Sequence, residues 1–220
     1  MTTKIDWPNH IIAFFSALLG ILIAFQLEDY RENRQDDEKL ENTVNAIQNE
    51  IDNNLRIYRN NVDKIGNWLE YWELLSSVDG DGMLEVKKYK FERLKAKTPH
   101  RFEGWILIKQ MSDSVLVLQT TGDIDVDVLP ETGISVSSWT AGLYSGILNR
   151  FDHNRLIKLT HIYEWIEKDL GVSDREIIED QIDSDIDDID IIIAHFTRIV
   201  RVHKLKHQRI KTIYDKIEWE

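Results

Sequence analysis

Apolar residues recur along this chain in three rhythms. From Ile11 to Phe25 they are almost continuous, IIAFFSALLGILIAF, with Ser16 the only polar residue, and no charge falls between Trp7 and Leu27. A helix of about 20 residues rising 1.5 Å each crosses a hydrocarbon core of about 30 Å, so residues 11–27 are expected to form a transmembrane helix behind a short tail at 1–10. Trp7 suits the interfacial level and Pro8 a helix's first turn. A cleaved signal peptide fits poorly: only Lys4 makes the start basic, and AFQLEDY offers no small-residue cleavage site. A buried helix of a soluble fold is rarely apolar on every face.

The second rhythm is a seam with steps of three and four: Leu40, Val44, Ile47, Ile51, Leu55, Tyr58, Val62, Ile65, Leu69 and Trp72. It is a heptad pattern with one extra four-residue step near Ile51, which locally unwinds a supercoil. The stretch lacks proline, so a long helix over 28–75 continues from the span and stops at the turn-rich SSVDGDG of 76–82. A second seam runs Ile178, Ile182, Ile186, Ile189, Ile193, Phe196, Val200, His203, His207, Ile210, Tyr214, Ile217. With the capping box opened by Ser173 and Glu176, it predicts a last long helix over 174–217.

Between the seams the pattern is broken into shorter pieces. A basic segment, 83–101, has a weak helical period at Met83, Val86, Tyr89 or Lys90, and Leu94. Residues 104–137 contain the β-branched runs WILI and SVLVL and the alternating DIDVDV, which fit either a short helix or one or two small strands. Ser138 can cap a helix over 138–149 carrying Trp139, Leu143, Ile147 and Leu148. Asp152 can cap one over 153–170 carrying Leu156, Leu159, Ile162, Tyr163 and Ile166, with Gly171 as its stop. The expected fold class is mainly all-α. An N-terminal transmembrane helix continues into a long helix, and an antiparallel helical bundle over 28–220 contains a small irregular or β middle segment.

Composition supports long elements: three prolines and ten glycines in 220 residues. The net charge of −12 disfavours nucleic acid as a partner. The absence of cysteine removes disulfides, thiol catalysis and thiolate metal sites. Charge is also sorted by position. Residues 28–41 hold seven acids against three bases, 174–190 nine acids and one arginine, and 198–211 six bases and no acid. Antiparallel long helices would set the basic stretch (Arg198, Arg201, Lys204, Lys206, Arg209, Lys211) beside the acidic stalk at the lipid surface, with position 44 opposite 207. Lys4 before the span against Arg31, Arg34 and Lys39 after it places the C-terminal domain in the cytoplasm. Ala13, Ser16, Ala17, Gly20 and Ala24 share a face of the span, a small-residue pattern that lets helices pack closely in lipid.

Candidate chemistry is sparse. The chain has no phosphate loop, dinucleotide fingerprint, G-x-S-x-G or H-E-x-x-H. His203 and His207 share a helix face, but Lys204, Lys206 and Arg209 beside them would repel a cation, so they read as polar seam positions, with titration near neutral pH as the functional alternative. DSDIDDID fails the calcium-loop pattern at its glycine and closing glutamate, and keeps helical isoleucine spacing. Trp68, Trp72, Trp139 and Trp165 sit at apolar helical positions, where core packing is the ordinary use. No catalytic, cofactor or metal site is expected, and the chain reads as a non-enzyme.

Three segments carry a resemblance: IAFQLEDYRENR at 23–34, SSWTAGLYSGILN at 137–149 and LIKLTHIYEWIE at 156–167. Together they resemble a family of uncharacterised bacterial single-pass membrane proteins with an apolar first helix, a Ser-Ser-Trp…Ser-Gly-x-Leu segment and a following tyrosine-bearing helix. The family pattern of Asn-Trp-Asn-Glu after the span is replaced by Glu28-Asp29-Tyr30-Arg31. The resemblance implies a membrane-anchored helical domain and no particular activity. The expected function is a scaffold or accessory subunit in the bacterial inner membrane. Its expected partners are the lipid bilayer and either its own copies or other membrane subunits. The alternative is a transducer whose bundle shifts with a ligand, pH or a partner.

Overall fold

The computed structural model describes residues 7–120, 128–168 and 189–219. The chain is mostly helical in these residues. One uninterrupted helix, α1 (Trp7–Leu75), contains both the apolar run and the first seam. Nothing after Pro8 withdraws a backbone donor, and the polar stretch 28–39 is rich in straight-chain residues that tolerate a helix. The helix stops where the Ser76 and Ser77 hydroxyls donate to the Glu73 carbonyl, and where the Asp79 carboxylate accepts from the Asp81 and Met83 N–H groups.

A small module follows: β1 (Met83–Lys87), α2 (Lys88–Lys97), β2 (Trp105–Ser112) and β3 (Val115–Thr120). The three strands form an antiparallel sheet in the order β1-β3-β2. The two β-branched runs are thus a hairpin, the strand alternative of the two left open by the sequence. The start of the basic segment departs from its weak helical period, since Leu84 and Val86 alternate with exposed neighbours as a half-buried strand requires. Leu84, Val86, Leu116 and Leu118 pack with Phe91, Leu94 and Phe102 against Tyr71 and Leu74, at the end of α1 far from the apolar run.

The chain then returns along α1. Residues 128–136 lead into α3 (Ser137–Ser145), a 3-10 turn (Ile147–Arg150), α4 (His153–Glu167) and, later, α5 (Ile189–Tyr214). The helix expected over 138–149 therefore ends early: Gly146 takes a left-handed φ of 72° as its C-cap, which glycine adopts without strain. Asp152 caps α4 as expected, accepting from the Arg155 N–H. The Ser173 capping box, the Gly171 stop, most of DIDVDV and all but the last two residues of the DSDIDDID run lie outside the described residues.

α5 runs back along α1. Phe196 meets Trp68 edge-on at 4.9 Å, His203 meets Tyr58 at 5.1 Å, and the Tyr214 hydroxyl reaches Asp52. Residue numbers rise on one helix as they fall on the other. The register differs from the expected one. His207 lies beside Arg59 and Asp63 rather than Val44. The space beside the acidic stalk is taken by the 3-10 turn instead, whose Arg150 pairs with Asp37 at 2.8 Å.

Candidate functional site

α1 buries two adjacent stripes, and only one of them is apolar. Ile47, Ile51, Leu55, Tyr58 and Ile65 belong to the seam; Glu50, Asn54 and Asn61 are buried beside it. Spacings of four and seven place these three polar residues on one helix face. Each grips the returning chain. Asn61 donates to the Glu131 carbonyl at 3.0 Å and accepts its N–H at 2.6 Å. Asn54 does the same to Ser135, at 2.7 and 3.0 Å. Two side-chain amides thus supply the pairing that a neighbouring strand would give, and the segment 131–135 is strapped to a helix without losing its backbone bonds. The Glu131 carboxylate adds contacts to Asn60, Arg56 and Lys64, which hold its pKa below the ordinary carboxylate value, the Lys64 hydrogen bond contributing most.

Glu50 is 7% exposed and takes five donors. Its Oε1 accepts from the Ser135 hydroxyl at 2.7 Å, the Ser137 hydroxyl at 3.1 Å and the Ser138 N–H at 3.0 Å. Its Oε2 accepts from the Trp139 N–H at 3.2 Å and the Tyr163 hydroxyl at 2.8 Å. Ser138 was the expected cap of this helix. The capping position is Val136, with no cap bond from its own side chain, and Glu50 fills the role from across the interface by accepting the first N–H groups of α3. A carboxylate there also meets the positive end of the helix dipole. Burial raises the Glu50 pKa, but the four hydrogen bonds from Ser138, Ser135, Tyr163 and Trp139 together outweigh it and hold the group below its ordinary value. Burial, and then the charge and hydrogen bond of Glu50, push the Tyr163 hydroxyl strongly upward. The Trp139 and Tyr163 rings stack above it at 4.7 Å.

This junction gathers the residues that carried the resemblance: Ser137, Ser138 and Trp139 from one segment, Tyr163 from the other. Gly142 belongs to it too, since a Cβ there would meet Leu148 at 3.0 Å and Thr43 at 3.3 Å, so it lets α3 lie close to α1. Glu50 itself was not found by sequence reasoning, although a lone acid beside an apolar seam with two asparagines at heptad-related spacing was the available signal. Chemically the carboxylate is spent. Its lone pairs face five donors in a closed site, so it acts as a structural anion and not as a base.

The other expected positions lie apart from this junction. Ala13, Ser16, Ala17, Gly20 and Ala24 are exposed on the apolar part of α1, and a Cβ added at Gly20 would meet open space beyond its own helix backbone. His203 is buried against Tyr58, and His207 is half-buried, its pKa lowered by desolvation and then by Lys211 and Arg59, with Asp63 opposing. Of the basic stretch, Arg198, Arg201, Lys204, Arg209 and Lys211 are exposed, Lys211 pairing with Asp215, while Lys206 is buried over the Tyr58 ring. Tyr58 stands about 30 residues beyond Leu27, roughly 45 Å of helix. The basic stretch therefore sits at mid-shaft and not beside the apolar run, because the register of α5 is set by Trp68–Phe196 and Tyr58–His203 packing rather than by charge. Among the described residues no group of three or more His, Asp or Glu could hold a metal ion. One helix among them, α1, is long and apolar enough to cross a membrane, and its apolar window has no part buried in the protein. No protein-family model, no curated protein and no solved structure matches the chain.

Proposed function

We propose that the protein is a single-pass membrane scaffold, in which one helix serves as both anchor and stalk and a helical bundle grips the stalk outside the bilayer. The carrying observation is the continuity of α1: eleven large apolar side chains between Ile11 and Leu27 are exposed, and the same helix runs unbroken to Leu75. Lipid is the environment that accepts such a surface. The bulk of the chain lies on the cytoplasmic side of the bacterial inner membrane in this reading, supported by Arg31, Arg34 and Lys39 after the span. The bare face of Ala13, Ser16, Ala17, Gly20 and Ala24 supports self-association or packing with another membrane subunit. The resemblance to single-pass bacterial membrane proteins agrees, and the reading is non-enzymatic.

The test is the mass of the full-length protein extracted in mild detergent. A homo-oligomer that Gly20→Leu disrupts, or a stoichiometric co-purifying membrane subunit, is expected. A monodisperse monomer with no companion would contradict the scaffold. The transducer reading keeps one observation in its favour, the His203–His207 stretch inside the α1–α5 seam, and its pH test is given below.

A further inference from the structure

One face of the three-stranded sheet is covered and the other is open. Leu84, Val86, Leu116 and Leu118 are buried with Tyr71 and Leu74 of α1. The alternate residues form the open face, where Met83 and Ile106 are 38% and 57% exposed and Val117 is half-buried on the central strand. Beside them on β2, Ile108 and Met111 fall at two breaks in register with β3 and are exposed as well. An edge strand bulged twice is a poor template for an added strand, so the open face and not the edge is the surface to be explained. We infer that this face meets the same face of a second copy, anchored parallel to the first in the same membrane.

The phase of α1 selects this occupant. Gly20 and Leu74 are 54 residues apart, or about fifteen turns at 3.6 residues per turn, so in a straight helix they lie on one line. The same interval joins Ala17 to Tyr71, and Ser16 to Glu70, which holds Arg93 of α2. About ten turns above Ala17 and Gly20, Asn53 and Arg56 are exposed on that line. The stripe of Ile47, Ile51, Tyr58 and Ile65 that packs into the bundle lies on the opposite side of the helix. Two spans packed through their small residues would therefore turn the uncovered sides of both shafts towards each other, and the open faces of both sheets with them.

Height and spacing agree. The open face stands about 70 Å along the helix from Leu27, out of reach of lipid, and an identical rod in the same membrane presents the identical face at the same level. Packed layers lie about 10 Å apart, so two sheets held between two shafts need shafts about 30 Å apart at Leu74, against about 8 Å at Gly20. Over about 80 Å of helix that is a divergence of about 15°, within the ordinary tilt of membrane spans.

The inference rests on the self-association branch of the scaffold reading, and the experiment separates the two. The chain has no cysteine, so a single engineered one reports alone. Full-length Gly20→Cys, Val117→Cys and Leu205→Cys variants are oxidised in native membranes; Leu205 is 45% exposed on α5, which packs on the opposite stripe of α1. Covalent dimers at positions 20 and 117, and none at 205, are expected. A dimer at 20 without one at 117 would overturn the inference and leave the scaffold standing, whereas a dimer at neither would overturn self-association altogether. Dimers at 205 as well would mark random collision and overturn the sheet contact. A Val117→Cys product with a different polypeptide would give the face to another protein and overturn the second copy. In mild detergent, Ile106→Asp is expected to raise the dimer dissociation constant about tenfold with the far-UV dichroism of the parent, and an unchanged constant would overturn the contact.

Discussion

Glu50 carries its charge inside the protein on hydrogen-bond donors rather than on a cation. Five donors and the N-terminus of α3 converge on it, so the neutral isostere is a poor substitute: the amide of Glu50→Gln would present N–H groups to the Trp139 N–H and the Tyr163 hydroxyl. Glu50→Gln is expected to cost about 3 kcal/mol and Tyr163→Phe about 1–2 kcal/mol, read from denaturant midpoints. The pH dependence has a definite sign. Because the folded pKa lies below the ordinary 4.5, the contribution is present above that value and is lost as pH falls through the folded pKa. The parent should lose stability more steeply than Glu50→Gln below about pH 4.5. Gly142→Ala should cost about 1–3 kcal/mol by forcing Leu148 and Thr43 aside. The residues at this junction were half legible. Ser137, Ser138, Trp139 and Tyr163 stood out as a pattern, but Glu50, Asn54 and Asn61 look in sequence like the solvent face of a helix. What buries them is a strap that returns some 70–90 residues later, and no local period announces it.

At the scale of elements, periodicity carried much further. Steps of three and four mark α1 and the described part of α5, and turn-rich SSVDGDG marks the break between shaft and sheet. The direction of α5 was legible from charge sorting, but its register was not, because surface charges are screened while the Trp68–Phe196 and Tyr58–His203 contacts are buried and specific. Cysteines at Asp63 and His207, introduced into a chain that has none, should crosslink; a 44–207 crosslink in their place would restore the register that charge alone suggests. The same seam yields the pH test. A histidine whose folded pKa is lowered binds its proton more readily when unfolded, so stability is intact above about pH 6.5 and declines as pH falls through the folded value. The melting temperature should drop between pH 7.5 and 5.5 and the drop should shrink in His207→Gln. An unchanged slope in that variant would remove His207, and the transducer reading with it, from the account.

The whole molecule is a long rod with three packed regions along one helix. Between Leu27 and Leu75 α1 rises about 70 Å, which carries the β2 edge well away from the bilayer in which the apolar run would lie. The Glu50 junction and the Arg150–Asp37 pair grip the near part of the shaft; the sheet crowns its far end. With the apolar run in a bilayer, such an arrangement would present surfaces at fixed heights above it, as the proposed scaffold requires. The central claim is that residues 11–27 are solvated by lipid. Single cysteines placed one at a time from residue 8 to residue 36, in native membranes, can be probed with a membrane-impermeant maleimide. The account predicts a protected window of about 17–20 positions ending near Leu27, with labelling resuming by Arg31. Uniform labelling through Ile11–Phe25, or protection that persists when the intact chain is released as a folded monomer into plain buffer, would contradict it.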